Sequence, residues 1–208
     1  MSYRVKIEDI YEGKAFKRPL FYNYEGGLRF ELSRGGSYIN QFTTAHSRAM
    51  DVCRYVFTGS KNIVVCVKIF GSKTPLSILP CLRSLKKIGL HQANEREYWT
   101  EFDDDWIDDE CYLDSLWHYI AFPVSIDKLA DILWCALATE FSSIEPRVSA
   151  NFYLFGMEQD LMVFPYDDRG MDIVGPNHLL LSNVYSEFNG YLLDYDRDVM
   201  DSVFSKKL

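Results

Sequence analysis

The hydrophobic positions of the chain change between helix-like and strand-like spacing. From Ile39 to Phe57, apolar residues recur every three or four positions, which predicts an amphipathic helix that Gly59 ends. The next run, Ile63 to Phe70, is short, continuous and rich in β-branched residues, as is typical of a strand buried on both faces. A shorter helical pattern follows over residues 76–88.

In the rest of the chain the predicted strands outnumber the helices. Strands are predicted over residues 3–7, 28–32 (after a hairpin turn at 25–27), 115–122 (closed by Pro123), 149–155, 161–166 and 171–174. Helices are predicted from an N-cap at Ser125 and over residues 177–188 and 197–204. Because strands and helices do not alternate strictly, the pattern predicts a single α+β domain over residues 1–208, with a mainly antiparallel sheet packed by helices.

Composition limits the class of protein. Apolar residues make up 48% of the 208 residues and aromatic residues 15%, which is enough for a packed core and excludes a disordered chain. The five cysteines include no C-x-x-C pair, so we expect free thiols in a reducing compartment and neither a zinc ribbon nor a redox motif. The first residues lack the apolar core of a signal peptide, and no apolar run is long enough to span a bilayer. We therefore expect a cytoplasmic protein.

The negative charge is concentrated in one segment. The net charge is -8, yet residues 95–114 alone carry -9, so the remainder is about neutral. Five aromatic residues lie within this acidic segment, and rings surrounded by carboxylates are suited to bind a cationic protein surface. The alternative interpretation of the segment is a solvated loop. A contiguous calcium-binding loop is not predicted, because the segment lacks the glycine that such a loop needs. The candidate partner-binding residues are Trp99, Asp103, Asp104, Asp105, Trp106, Asp108, Asp109 and Glu110.

A second group of polar residues lies between two predicted strands. Adjacent carboxylates beside an arginine are compatible with acid–base chemistry or with metal binding. The flanking strands instead favour a hairpin turn, in which Gly170 adopts the left-handed conformation, an aspartate accepts hydrogen bonds from turn amides and Arg169 pairs with a carboxylate. The candidate residues of this turn are Tyr166, Asp167, Asp168, Arg169, Gly170 and Asp172.

The same turn carries a family resemblance. Residues 166–172, Tyr-Asp-Asp-Arg-Gly-Met-Asp, followed by Tyr185, Asn189 and residues 191–197, resemble a bacterial family known as domain of unknown function 3885. Gly-Leu-Arg-Phe-Glu-Leu at residues 27–32 and Arg48-Ala49 are similar to other markers of that family. The resemblance covers both ends of the chain but not residues 73–114. It implies a small bacterial cytosolic protein and supplies no catalytic residues.

These observations favour a binding protein over an enzyme. Walker A, G-x-S-x-G and H-E-x-x-H motifs are absent, so we predict no catalytic residue, metal or cofactor. We expect an immunity or antitoxin-type protein that occludes a cognate bacterial toxin, a nuclease with a basic active-site surface, and no binding to nucleic acid or membranes. One alternative is a metal-assisted hydrolase or transferase that uses Asp167, Asp168, Arg169 and Asp172. The other is a regulatory or scaffold domain.

Overall fold

In the described part of the chain, seven strands form one sheet in the order β1-β7-β6-β5-β2-β4-β3, and every neighbouring pair is antiparallel. The computed structural model describes residues 2–90, 95–102 and 114–205. The strands are β1 (Leu28–Glu31), β2 (Asn62–Ser72), β3 (Glu97–Glu101), β4 (Ser115–Ser125), β5 (Asn151–Gly156), β6 (Leu161–Asp167) and β7 (Gly170–Val174). The helices are α1 (Tyr3–Ile10), α2 (Tyr38–Val56), α3 (Leu79–Lys87), α4 (Leu129–Leu137), α5 (His178–Glu187) and α6 (Arg197–Phe204). The predicted α+β class with an antiparallel sheet is confirmed.

The central strand β2 is buried on both faces, as its continuous apolar pattern predicts. Its alternate residues point to opposite sides of the sheet because side chains in a strand alternate. Val65 and Val67 face the larger core, against α2 to α6, which we call the helical layer. Val64 and Cys66 face a smaller core formed with α1 and residues 11–24, which we call the N-terminal layer.

The helical layer forms where the sequence predicts amphipathic helices. Helix α2 begins after Ser37, whose hydroxyl accepts a hydrogen bond from the Asn40 N–H, and it packs chiefly against α4. The rings of Phe42 and Trp134 meet edge to face with their centroids 4.5 Å apart. None of the described helices has the length and apolar character needed to cross a membrane.

The N-terminal layer differs from the sequence prediction. Residues 3–7 lie in helix α1 and not in a strand. Ser2 caps this helix by accepting a hydrogen bond from the Val5 N–H, and one buried residue, Ile7, anchors it to the sheet. The alternation of charged and apolar residues that suggested a strand therefore matches a helix with a single buried position.

Two further expectations about strands are wrong. The turn at residues 25–27 does not form a hairpin, because β1 pairs with the distant β7. Pro123 does not close β4, which continues to Ser125 with Pro123 opposite Val64 of β2. On its other side the described part of β3 pairs with β4 only as far as Ala121. Among the described strands Pro123 therefore has one neighbour, so it does not need to donate a hydrogen bond to a second.

Candidate functional site

The acidic segment starts at the edge of the sheet. Among the residues that the structure describes, strand β3 is the last in the sheet order and pairs only with β4. Of the candidate partner-binding residues, Asp103, Asp104, Asp105, Trp106, Asp108, Asp109 and Glu110 lie outside the described residues. The described part of the segment consists of residues 95–102 and Asp114. These described residues locate the two ends of the acidic segment, with β3 at its start and the beginning of β4 directly after Asp114.

Trp99 belongs to the core of the N-terminal layer. Its side chain is 7% exposed, and its ring is stacked on Tyr119 with centroids 5.1 Å apart. The indole Nε1 donates a hydrogen bond to Glu101 Oε1 at 3.1 Å. The exposed rings of the described segment are instead Tyr98 at 44% and Phe102 at 64%. A partner at this edge would meet those two rings before Trp99.

Two carboxylates of β3 are bound by α1. Glu97 accepts hydrogen bonds from the Ser2 hydroxyl at 2.6 Å and from the Arg4 N–H at 3.1 Å. Burial acts to raise the pKa of Glu97, but these hydrogen bonds outweigh burial and lower that pKa. Glu101 accepts from Arg4 Nη2 at 3.2 Å. Helix α1 is therefore attached to the acidic edge of the sheet through charged contacts.

The turn between β6 and β7 holds its own carboxylates. Asp167 Oδ1 accepts a hydrogen bond from the Arg169 N–H at 2.8 Å, and Asp167 Oδ2 accepts from Arg169 Nε at 3.0 Å. Asp168 Oδ2 accepts from the Ser33 hydroxyl at 3.3 Å. Burial and the neighbouring Asp167 raise the pKa of Asp168. The two adjacent carboxylates thus have different hydrogen-bond partners.

Gly170 is constrained by a neighbouring side chain and not by the predicted left-handed conformation. It is not among the residues with positive φ, so the expected left-handed conformation is wrong. A Cβ at this position would lie 1.8 Å from the Tyr166 hydroxyl oxygen, so the Tyr166 ring or the turn would have to move to accommodate it. The pairing of β6 and β7 shifts register between Pro165 and Asp167, as in a bulge, and Tyr166 is the residue at the shift.

Asp172 forms a buried cross-strand pair with Arg29. The two residues are register partners on β7 and β1. Arg29 Nε donates to Asp172 Oδ1 at 2.7 Å, and Arg29 Nη2 donates to Asp172 Oδ2 at 2.9 Å, which is a bidentate contact. The Phe21 N–H donates to the same carboxylate at 3.2 Å. Since Asp172 is 1% exposed, its charge depends on these donors.

A second carboxylate joins this pair from the C-terminal end of the chain. Arg29 Nη1 donates to Asp196 Oδ2 at 3.2 Å, and the Tyr22 hydroxyl donates to Asp196 Oδ1 at 2.7 Å. Residues 192–193 run along the outer edge of β1, where Leu193 N–H donates to the Arg29 carbonyl, and this brings Asp196 to the site. We call Arg29, Asp172, Asp196 and Tyr22 the arginine cluster.

The arginine cluster places one guanidinium between two carboxylates, and burial raises the pKa of Asp172 despite its hydrogen bonds with Arg29. Burial acts to lower the pKa of Arg29, but the hydrogen bonds and charge of Asp172 outweigh it, and that pKa is raised. The guanidinium also lies 4.9 Å from the centroid of the Phe21 ring and 5.0 Å from that of Tyr22. Sequence reasoning did not identify this cluster. Its signal was present, because Arg29, Asp172 and Asp196 all fall within the segments that carry the family resemblance.

Two cavities open beside the N-terminal layer, and Arg18 lines both. The larger, of about 720 Å³, lies between α1, residues 13–18 and the ends of β2, β4 and β5. The smaller, of about 380 Å³, lies over Phe164 and Tyr166 next to the arginine cluster. The Arg18 guanidinium lies 4.6 Å from the centroid of the Phe164 ring. Burial raises the pKa of Tyr153 to about 12, and the nearby charge of Arg18 opposes that rise.

The described residues contain no group of three or more His, Cys, Asp or Glu side chains suited to hold a metal ion. Asp172 pairs with Arg29, whereas Asp167 pairs with Arg169 and Asp168 accepts a hydrogen bond from Ser33. The arrangement at the turn therefore provides ion pairing between strands and does not present an open set of carboxylates.

Comparison with known proteins gives one match. No curated protein and no solved structure matches the chain. Residues 4–196 of the 208-residue chain match the model of a family described as Domain of unknown function (DUF3885). That range includes the acidic segment, both cavities and every residue of the arginine cluster. Since the match covers nearly the whole chain, the protein belongs to the DUF3885 family.

Proposed function

We propose that this protein is a binding protein of the immunity or antitoxin type, which occludes a basic surface of a cognate toxin with its acidic segment. The observation that carries the proposal is the concentration of charge: residues 95–114 carry -9 in a chain of net charge -8. A local excess of negative charge accelerates association with a positively charged partner and disfavours partners of like charge. Nucleases, which bind phosphates, present such positive surfaces.

The position of β3 supports this role. The strand lies at the edge of the sheet, and Tyr98 and Phe102 expose 44% and 64% of their surface beside its carboxylates. Exposed rings supply the apolar area on which an interface depends, while the surrounding charges direct the encounter. Tyr98 is held in place by a hydrogen bond between its hydroxyl and His118 Nδ1 at 2.8 Å. Its orientation is therefore set before a partner arrives, which lowers the entropic cost of binding.

The alternative of a hydrolase or transferase at the β6–β7 turn has no comparable support. Asp167 is paired with Arg169, Asp168 with Ser33, and Asp172 with Arg29. A metal-assisted reaction needs carboxylates that converge on an open position. We therefore treat the turn as part of the architecture and place the function at the acidic edge.

Charge reversal tests the proposal. Changing Asp103, Asp104 and Asp105 to lysine takes the charge of residues 95–114 from -9 to about -3. Tagged products of the genes flanking its own are co-expressed with the wild-type or the triple variant. We expect one neighbour to be toxic alone, and the wild-type chain to capture it and restore growth. The triple variant is expected to lose both properties, because the steering charge is largely removed.

A matched control separates local from total charge. Changing Glu158, Glu187 and Asp198 to lysine alters the net charge by the same amount at exposed positions outside the segment. We expect this variant to retain capture and protection. The proposal is refuted if no neighbour is neutralised, or if the two triple variants bind equally well. In the purified complex, the association rate should also fall as ionic strength rises.

A further inference from the structure

The two edges of the described sheet differ in how they are covered. At one edge, residues 192–193 run beside β1, where the Leu193 N–H donates a hydrogen bond to the Arg29 carbonyl. At the other edge, no described segment pairs with the outer side of β3. An uncovered edge strand can pair with a strand of another protein.

The hydrogen bonds of β4 show which backbone groups of β3 point outward. At the two ends of the β2–β4 pairing, the Lys73 N–H donates to the Asp114 carbonyl at 2.9 Å and the Ile126 N–H donates to the Lys61 carbonyl at 3.0 Å. Hydrogen-bonded pairs alternate with non-bonded pairs between antiparallel strands. The even-numbered residues of β4 therefore bond to β2, and the odd-numbered residues of β4 bond to β3.

Two residues of β3 consequently direct their backbone groups away from the sheet. Trp99 lies opposite an odd-numbered residue of β4 and bonds to it, whereas Tyr98 and Thr100 lie opposite Ile120 and His118, which bond to β2. The N–H and C=O groups of Tyr98 and Thr100 thus point outward, and no hydrogen bond between described residues uses them. This edge offers two donors and two acceptors at the spacing of a strand.

Strand β3 lacks the features that usually prevent the addition of another strand. Proline, lysine or a bulge commonly protects an edge. The sequence of β3, Glu-Tyr-Trp-Thr-Glu, contains neither proline nor lysine, and its register with β4 is continuous over Glu97–Glu101. Its two glutamates are bound by Ser2 and Arg4 on the side of α1. Neither the composition nor the register of β3 therefore blocks a further strand.

The charge at this edge determines which kind of partner fits. Residues 95–114 carry -9, so pairing with a second copy of the chain would place two acidic segments side by side and is disfavoured. A segment that contains lysine and arginine is favoured for the same reason. Tyr98, which is 44% exposed beside the exposed Thr100, provides a ring on which an apolar side chain of the added strand can pack.

We propose that the partner docks by adding an extended, basic segment of its chain as a further strand beside β3. The backbone of that segment pairs with the outward N–H and C=O groups of Tyr98 and Thr100. This inference rests on the proposed function, because it specifies how the basic partner is held. Main-chain hydrogen bonds supply the affinity of such a contact, while the acidic charge directs the approach.

A proline substitution tests the backbone contact. Because the Thr100 N–H points away from β4, Thr100→Pro removes an outward donor and leaves the hydrogen bonds between β3 and β4 in place. Thr100→Val is the matched control, since it changes the side chain but keeps the N–H. Binding of each variant to the purified flanking-gene product that the wild-type chain captures is measured by calorimetry. We expect Thr100→Pro to weaken binding about tenfold, and Thr100→Val to leave it within about twofold of the wild type.

Hydrogen exchange provides a second measurement on the wild-type chain, so the test stands even if Thr100→Pro does not fold. In the free chain, the amides of Tyr98 and Thr100 should exchange faster than the amide of Trp99, which bonds to β4. In the complex, we expect exchange at Tyr98 and Thr100 to slow about tenfold or more, because their N–H groups become hydrogen-bonded.

The outcomes distinguish this inference from the proposed function. Equal binding by Thr100→Pro and the wild type, or unprotected amides at Tyr98 and Thr100 in the complex, refutes strand addition, while loss of capture on charge reversal still supports the proposed function. If the wild-type chain captures no flanking-gene product, both proposals are refuted. A chain that dimerises alone and becomes monomeric in Thr100→Pro also overturns the inference, because the added strand then comes from a second copy.

Discussion

Replacing Arg29 with methionine should be among the most damaging single changes to the stability of this fold. Methionine retains the apolar stem of the side chain but removes all three charge-assisted hydrogen bonds, two to Asp172 and one to Asp196. Asp172, at 1% exposure, is left with the Phe21 N–H, and Asp196, at 4%, with the Tyr22 hydroxyl. Removing one partner of a buried ion pair leaves an uncompensated charge and typically costs about 3–5 kcal/mol.

The size of the effect has an upper limit set by protonation. Without Arg29, Asp172 can avoid the buried charge by taking up a proton. Its ordinary pKa of 3.8 lies about 3 pH units below neutrality, and each unit costs about 1.4 kcal/mol. The loss at pH 7 from this carboxylate is therefore limited to about 4 kcal/mol, in agreement with the range above. Such a loss is a large fraction of the stability of a domain.

Urea denaturation followed by circular dichroism measures this loss. For a slope of about 2 kcal/mol/M, a decrease of about 4 kcal/mol lowers the midpoint by about 2 M. The deficit should shrink as the pH falls towards the ordinary aspartate pKa, because protonation then costs less. Arg34→Met is the control, since Arg34 pairs with Glu31 and Asp194 at 59% exposure, where solvent screens the charges. If the two variants are equally stable at neutral pH, the reasoning about burial is wrong.

Two further predictions concern the β6–β7 turn. Gly170→Ala should destabilise the protein by about 1–3 kcal/mol, because the new Cβ would overlap the Tyr166 hydroxyl and force that ring or the turn to move; a thermal midpoint equal to that of the wild type would contradict the close approach. Asp168→Asn should change how stability depends on pH. The folded-state pKa of Asp168 is raised by burial, so its contribution is full below the ordinary value of 3.8 and is lost as the pH rises through the folded pKa. As the pH rises from 3.8 through the folded-state pKa, denaturation curves should show the wild type losing stability relative to the asparagine variant. If the stabilities of the two proteins change in parallel with pH, the pKa of Asp168 is not raised in the folded state.

Local patterns predicted the elements that carry their own signals. The continuous apolar run of β2 indicated burial on both faces, and Val64 and Val65 indeed face different layers. Helix α6 begins and ends at the predicted residues, and α2 differs from its predicted range by one residue at each end. These features depend on neighbours within one or two turns of helix, or on alternate residues of one strand, so the sequence contains the information directly.

Predictions failed where the outcome depends on what lies beside an element. Residues 3–7 alternate in polarity, but they form a helix in which Ile7 is buried in the N-terminal layer and Tyr3 packs partly against it. Pro123 continues a strand because β3 ends before reaching it. Trp99 was a candidate anchor for a partner, but stacking on Tyr119 places it in the core. None of these neighbours is visible from local spacing.

The sequence by itself determined the class of fold, the principal helices and strands, the location of the acidic charge and the family resemblance. Only the tertiary structure decided which charges meet. Arg29 and Asp172 are 143 residues apart, and Arg29 and Asp196 are 167 apart. They become partners because β1 pairs with β7 and the C-terminal segment follows the edge of β1. Hydrophobic periodicity depends on residues that are neighbours in the sequence. The pairing of buried charges depends instead on the order of strands in the sheet, which is established only when the chain folds.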